Sequence, residues 1–134
     1  MPCQIAGQIE TESIFEQLLK NGVIKPSDLK KMSHANIYAL AVAHEAIKDS
    51  GWVPEDDNDL TRAGTSISTG MAGVSEISEA AVNLYNNKDS NKGFKSISPY
   101  FIPKILSNLS SGLISIKYQL KVIIQLNIKF KYLN

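Results

Sequence analysis

The chain has 134 residues, 43% hydrophobic and 20% charged, the size and balance of one ordinary globular domain rather than of a disordered chain. Lys plus Arg number 14 against 13 Asp plus Glu, and the formal net charge of +1 gives no field that argues for nucleic acid or an acidic partner. The lone cysteine, Cys3, excludes an intrachain disulfide and a cysteine metal site and fits a reducing compartment; no apolar run reaches the roughly 18 residues of a membrane span, and the chain shows no targeting signal.

Taken in order, residues 1–7 permit a strand fragment at Gln4, Ile5 and Ala6 without demanding one, and Cys3 reads as an ordinary terminal residue rather than a reactive thiol. Residues 12–19 fit a short helix or turn with Ile14, Leu18 and Leu19 inward, ended by Asn21-Gly22, and Lys25-Pro26-Ser27-Asp28 makes a second break. From 33 to 50 the pattern is helical. Ile37, Leu40, Ala41, His44 and Ile47 recur at spacings of three and four, Ser33 is a suitable N-cap, Lys48 sits in the last turn, and Gly51 suits the position beyond the end. His44 lies on the apolar stripe but reads as a core or boundary histidine, because the local sequence positions no Cys, Ser or acidic partner beside it; His34 also reads as structural. Trp52-Val53-Pro54 closes the helix. Residues 55–59, EDDND, form an acidic loop without the glycine and distal glutamate of a calcium site, so a solvated loop is expected.

Residues 62–73, RAGTSISTGMAG, read as strand, glycine turn and helix start. The small residues Ala63, Gly64, Ser66 and Ser68 suggest a strand packed closely on both sides, and Gly70 and Gly73 bracket a turn that needs positive φ or close backbone approach. Residues 74–87 then predict a helix with Val74, Ile77, Ala81, Leu84 and Tyr85 on the apolar face and Glu76 and Glu79 outside, fraying into a polar loop at 86–95. A strand, a glycine turn and a helix N-terminus can bind an anion, yet the turn lacks both the Gly-Lys-Ser/Thr of a P-loop and the dinucleotide glycine spacing. Pro99 and Pro103 pin an extended or turning segment before Lys104, after which Ile105, Leu106, Leu109 and Leu113 continue a helical stripe; Ser110, Ser111 and Gly112 imply close packing against a neighbour. In the last stretch Ile124, Leu126, Ile128, Phe130 and Tyr132 alternate with polar residues. That is either a half-buried strand or an unrelated ending that happens to alternate.

Three blocks, MSHANIYALAVAHEAIKDSGW, RAGTSISTGMAGVSEI and ISPYFIPKILSNLSSGLISIKYQLK, in this order and spacing, resemble the N-terminal half of a β-ketoacyl-acyl-carrier-protein synthase, the condensing enzyme of type II fatty acid synthesis. PCQIAGQI is also similar to the family, so the resemblance runs from about Met1 through Lys121 and omits the family's first strand. It implies an α/β fold, the N-terminal half only of a layered, thiolase-like arrangement, with 1–121 as a partial synthase domain and 122–134 as a divergent tail carrying a possible β-strand. It further implies acyl carrier protein and a homodimer partner, no cofactor or metal, and mitochondria as the location, with cytoplasm as the alternative.

In the family a cysteine accepts the acyl chain and two downstream histidines assist decarboxylation of malonyl-acyl carrier protein, so the resemblance implies a thiolate nucleophile. Here the sequence departs from the family. Where the family continues into a glycine-proline turn and a Thr-Ala-Cys strand, this chain reads VIIQLNIKFKYLN, which places Lys131 at or near the nucleophile position, and Cys3 is remote from that block. No catalytic residue is therefore expected. Two substrate-binding positions carry over: Met71 matches a residue lining or gating the acyl pocket, and Phe101 matches an aromatic near the dimer interface that reaches the partner's acyl pocket; plain core packing is the alternative for both. Three readings follow: a truncated synthase unable to condense, a non-catalytic fragment that pairs with full-length synthase through 98–121, and a small phosphate-binding module at 70–73. A piece of a layered fold also predicts marginal stability and exposed sheet edges.

Overall fold

The computed structural model describes residues 5, 7–53, 56–67, 69, 73–90, 92–122 and 125–126. Among these the elements run α1 (Thr11–Lys20), α2 (His34–Ser50), α3 (Asp57–Arg62), β1 (Ser66–Ile67), α4 (Val74–Asn86), α5 (Phe101–Ile105), α6 (Leu109–Tyr118) and β2 (Gln125–Leu126), with 3₁₀ turns at Asp28–Lys30 and Phe94–Ser96. The strands pair in parallel, Ser66 opposite Gln125 and Ile67 opposite Leu126. Among the described residues helices dominate, and the α/β character rests on one two-stranded sheet.

Helix α2 forms where its caps predict. The Ser33 hydroxyl accepts the Asn36 N–H at 3.3 Å, and Gly51 at φ 64 donates its N–H to the Lys48 carbonyl, so orphan groups at both ends are satisfied locally. Its stripe meets α1 and α6 in a core of Leu18, Val23, Ile24, Ile37, Leu40, Ile114 and Leu120. Polar groups lie within this body too: Ser110 Oγ donates to Asn36 Oδ1 at 2.9 Å across the α2–α6 contact, with Asn36, Ser110 and Ser111 all fully buried. The close packing expected of the small residues is therefore made by the two serines. A Cβ on Gly112 would meet nothing within 4 Å.

Three expectations are corrected. The acidic loop becomes α3 from Asp57 onward, because Asp56 accepts the Asp59 N–H at 3.0 Å and Asp57 and Asp59 occupy the first turn, where the helix dipole favours carboxylates. Arg62 accordingly ends a helix, and the strand begins at Ser66. Of the extended or turning segment expected before Lys104, the turn forms at Pro99 and Tyr100, but the helix starts earlier than expected, at Phe101: Pro103 is the third residue of α5, in the first turn, where a missing N–H leaves no intrahelical bond unmade.

The return of the chain beside β1 is backbone-bonded. Gln119 in the left-handed conformation, φ 57, ends α6; Lys121 N–H then donates to Leu60 O at 2.9 Å and Val122 N–H to Ala63 O at 3.2 Å. An ion pair of Lys121 with Asp57 accompanies them on the surface.

Candidate functional site

The expected pocket wall depends on the turn into α4. Gly73 is buried at φ 67 and ψ 29 as the N-cap residue of α4. A Cβ there would lie 2.8 Å from both Cα and Cγ2 of Ile105 and 3.0 Å from the Lys104 carbonyl oxygen. Glycine is thus required twice over, for its backbone angle and for space. The contact seats the start of α4 directly on α5, the helix that Phe101 opens.

Phe101 is half-buried and lines a cleft of about 90 Å³ with Glu76, Glu79, Asn83, Ser98 and Lys104. That volume is well below the roughly 300 Å³ at which ligand pockets begin. Leu84 inward and Glu79 outside are as expected, but Glu76 reaches the cleft because most of the expected apolar face of α4 is turned outward. Val74, Ile77, Ala81 and Tyr85 face solvent, whereas Ala80 is buried and Glu76 and Leu84 are half-buried. An amphipathic period identifies a helix but not the side on which its cover lies, and the nearest cover within this chain, α5 and the Phe94–Ser96 turn, packs on the other side. Met71 lies outside the described residues, with Gly70 and Ala72, so Phe101 is the substrate-binding candidate that has a described position.

A larger cleft of about 330 Å³ opens between α1 and α2, with Ile14, Leu18, Tyr38, Ala41 and Val42 on its walls and His44 among them. His44 Nδ1 is 3.1 Å from the Tyr118 hydroxyl, and Thr11 Oγ1 is 2.5 Å from the Tyr38 hydroxyl. Burial raises the Tyr118 pKa above its ordinary 10.0, so the phenol stays protonated beside the imidazole. His44 is the boundary histidine that the sequence predicts, bonded to a neutral phenol. Cys3 and Lys131 lie outside the described residues. Among the described residues no three His, Cys, Asp or Glu side chains group to hold a metal, and no helix is long and apolar enough to cross a membrane.

The features that sequence reasoning missed are the Gly73–Ile105 contact, the Asn36–Ser110 pair and the half-buried Glu76 of α4. The glycine itself was legible as a special position. Its partner, more than thirty residues away in α5, has no local signal.

Residues 1–122 match the family described as β-ketoacyl synthase, N-terminal domain. A 3-oxoacyl-[acyl-carrier-protein] synthase 2 of Rhizobium meliloti is 37% identical over 98 residues, 73% of this chain and 22% of the relative. The mitochondrial 3-oxoacyl-[acyl-carrier-protein] synthase of Arabidopsis thaliana is 40% identical over 81 residues, 60% of this chain and 16% of the relative. The chloroplastic synthase I of Hordeum vulgare is 30% identical over 119 residues, 86% of this chain and 23% of the relative. The chain thus spans about a fifth of the length of these relatives. With the family match running from its first residue through 122, the chain belongs to the β-ketoacyl synthases, as their N-terminal domain.

Proposed function

We propose that this chain is the N-terminal portion of a 3-oxoacyl-[acyl-carrier-protein] synthase, an acyltransferase of fatty acid biosynthesis, and that the 134 residues by themselves do not condense acyl groups. The observation that carries the reading is the family match over 1–122, together with relatives named as such synthases. In the complete enzyme the portion takes its place in a layered, thiolase-like fold. There Met71 lines or gates the acyl pocket, and Phe101, on the helix that Gly73 meets at Ile105, lies near the dimer interface and reaches the partner subunit's acyl pocket. The partners are acyl carrier protein and a second synthase subunit. The location is the mitochondrion, supported by the mitochondrial relatives, with a cytoplasmic location as the alternative that the bacterial relatives support.

Inactivity follows from chemistry. Condensation through an acyl-enzyme needs an activated thiolate, and the position expected for it reads Lys131 while Cys3 falls in another block. The test is acyl transfer from radiolabelled acyl-acyl carrier protein. No label on the chain is the expected result, and stable acylation at any residue overturns the claim.

A second reading, in which the chain associates with a full-length synthase through 98–121, is favoured by the exposed apolar side chains of Ile102, Leu106 and Ile116 in that segment. Co-purification of tagged chain with a purified full-length relative is the expected outcome. Elution of the two apart removes this reading and leaves the family assignment untouched.

A further inference from the structure

The geometry points to Asn21-Gly22 as a site of spontaneous side-chain deamidation, a chemical clock in the cap that joins α1 to the core. The pair occurs once in the sequence. It stands at the exposed C-cap of α1, and no hydrogen bond holds the Asn21 side-chain amide among the described residues. Gly22 has φ 65, and nothing among the described residues lies within 4 Å of a would-be Cβ, so no side chain crowds this face of the glycine.

The reaction needs only water. The Gly22 backbone nitrogen loses its proton to base and attacks Asn21 Cγ, the Cγ–Nδ2 bond breaks, and ammonia leaves behind a five-membered succinimide. Water then opens one of the two ring carbonyls. Attack at Cγ yields aspartate; attack at the main-chain carbonyl yields isoaspartate, whose backbone runs through Cβ and Cγ. Overall one amide and one water become one carboxylate and one ammonium ion.

What restrains the attack in the folded chain is one bond at a helix end, Gly22 N–H to Leu19 O at 3.1 Å. The turn therefore reacts whenever this last bond opens. The consequence reaches further than the surface. Val23 and Ile24 both direct their N–H groups to the Leu18 carbonyl, at 2.9 and 3.4 Å, and both side chains are buried in the core cluster. Gly22 O in turn accepts Lys117 Nζ at 2.8 Å, tying the cap to the last turn of α6. Isoaspartate inserts an extra backbone carbon between these anchors, so Leu18 O can no longer meet Val23 and Ile24 in the same register.

The test is incubation of the full chain at mildly alkaline pH followed by peptide mapping and isoaspartyl methyltransferase labelling. The first amide-to-acid conversion is expected at residue 21, as a mixture of aspartate and isoaspartate, with faster amide exchange at Val23 and Ile24 in the isoaspartyl form. Gly22→Ala should slow it about ten-fold, since a Cβ restricts the rotation that brings nitrogen to Cγ. Asn21→Gln, which keeps an unstrained C-cap, should abolish the early conversion and the labelling. A first conversion at any other asparagine, or an unchanged rate at residue 21 in folded Gly22→Ala, overturns the proposal.

Discussion

The body of α1, α2 and α6 and the arm of α4, α5 and the Phe94–Ser96 turn use apolar residues in opposite ways. The body encloses them: Ile37 and Leu40 retain 1% and 2% exposure and sit in a shared cluster with Leu18 and Ile114. The arm displays them, with Tyr85 at 71% and Phe94 at 83% exposure, and among its described residues Ala80 is the buried apolar one, outside that cluster. A helix pair that buries so little is positioned by backbone proximity, Gly73 on Ile105, rather than by its own core. The body is thus a small folded unit, and the arm is a shape carried by it.

The largest effect should fall on the body. Ile37→Ala is expected to cost about 2 to 5 kcal/mol in a urea titration, the range for large-to-small changes in closed cores. Leu84→Ala, at a half-buried position of the arm, should cost less than half as much; equal costs would erase the distinction. Asn36→Ala should cost about 1 to 3 kcal/mol by stranding the Ser110 hydroxyl. Among the described residues Asn36 Nδ2 is itself buried without a hydrogen-bond partner. The double change Asn36→Leu with Ser110→Ala should therefore recover most of that loss, and strictly additive costs would deny the coupling.

Gly73→Ala is expected to cost roughly 1 to 3 kcal/mol, localised to the arm. Hydrogen exchange should accelerate across α4 and α5 while α2 keeps its protection, and uniform acceleration would mean that arm and body unfold as one. A smaller effect is set by Tyr118. Its folded pKa is raised by burial, so the folded state holds the proton more tightly than the unfolded state once the pH passes 10.0. The stability linked to that proton is complete below pH 10.0 and is lost above it; Tyr118→Phe should flatten the high-pH fall of the urea midpoint. Smallest of all, Ile77→Ser on the outward face should change stability by no more than about 0.5 kcal/mol. A larger destabilisation would show that this face is covered in solution.

The same contrast explains what could be read from the residues. Helix α2 was legible because Ser33, Gly51 and the three-and-four spacing act within one or two turns of their own position. The family resemblance was legible too, since it rests on ordered blocks that the match over 1–122 bears out. The facing of α4 was not, because its outward and inward sides differ only in what lies beyond them. The start of α3 turned on one aspartate: Asp56 reads equally well as a loop residue until its carboxylate is seen to accept the Asp59 N–H. Of the site, Gly73 announced a special backbone, but its contact with Ile105 and the carboxylate company of Phe101 are long-range consequences of packing.

The pairing of Ser66 and Ile67 with Gln125 and Leu126 sets an order of events during synthesis. Helices α1 and α2 leave the ribosome early, yet their core lacks Ile114 and Leu120 until α6 has followed, and β1 waits for a neighbour almost sixty residues downstream. Long-range closure of this kind comes late. The arm is made inside that interval. Its outward apolar stripe, residues 74–86, is therefore made and left uncovered by this chain while the body still waits for its last core residues.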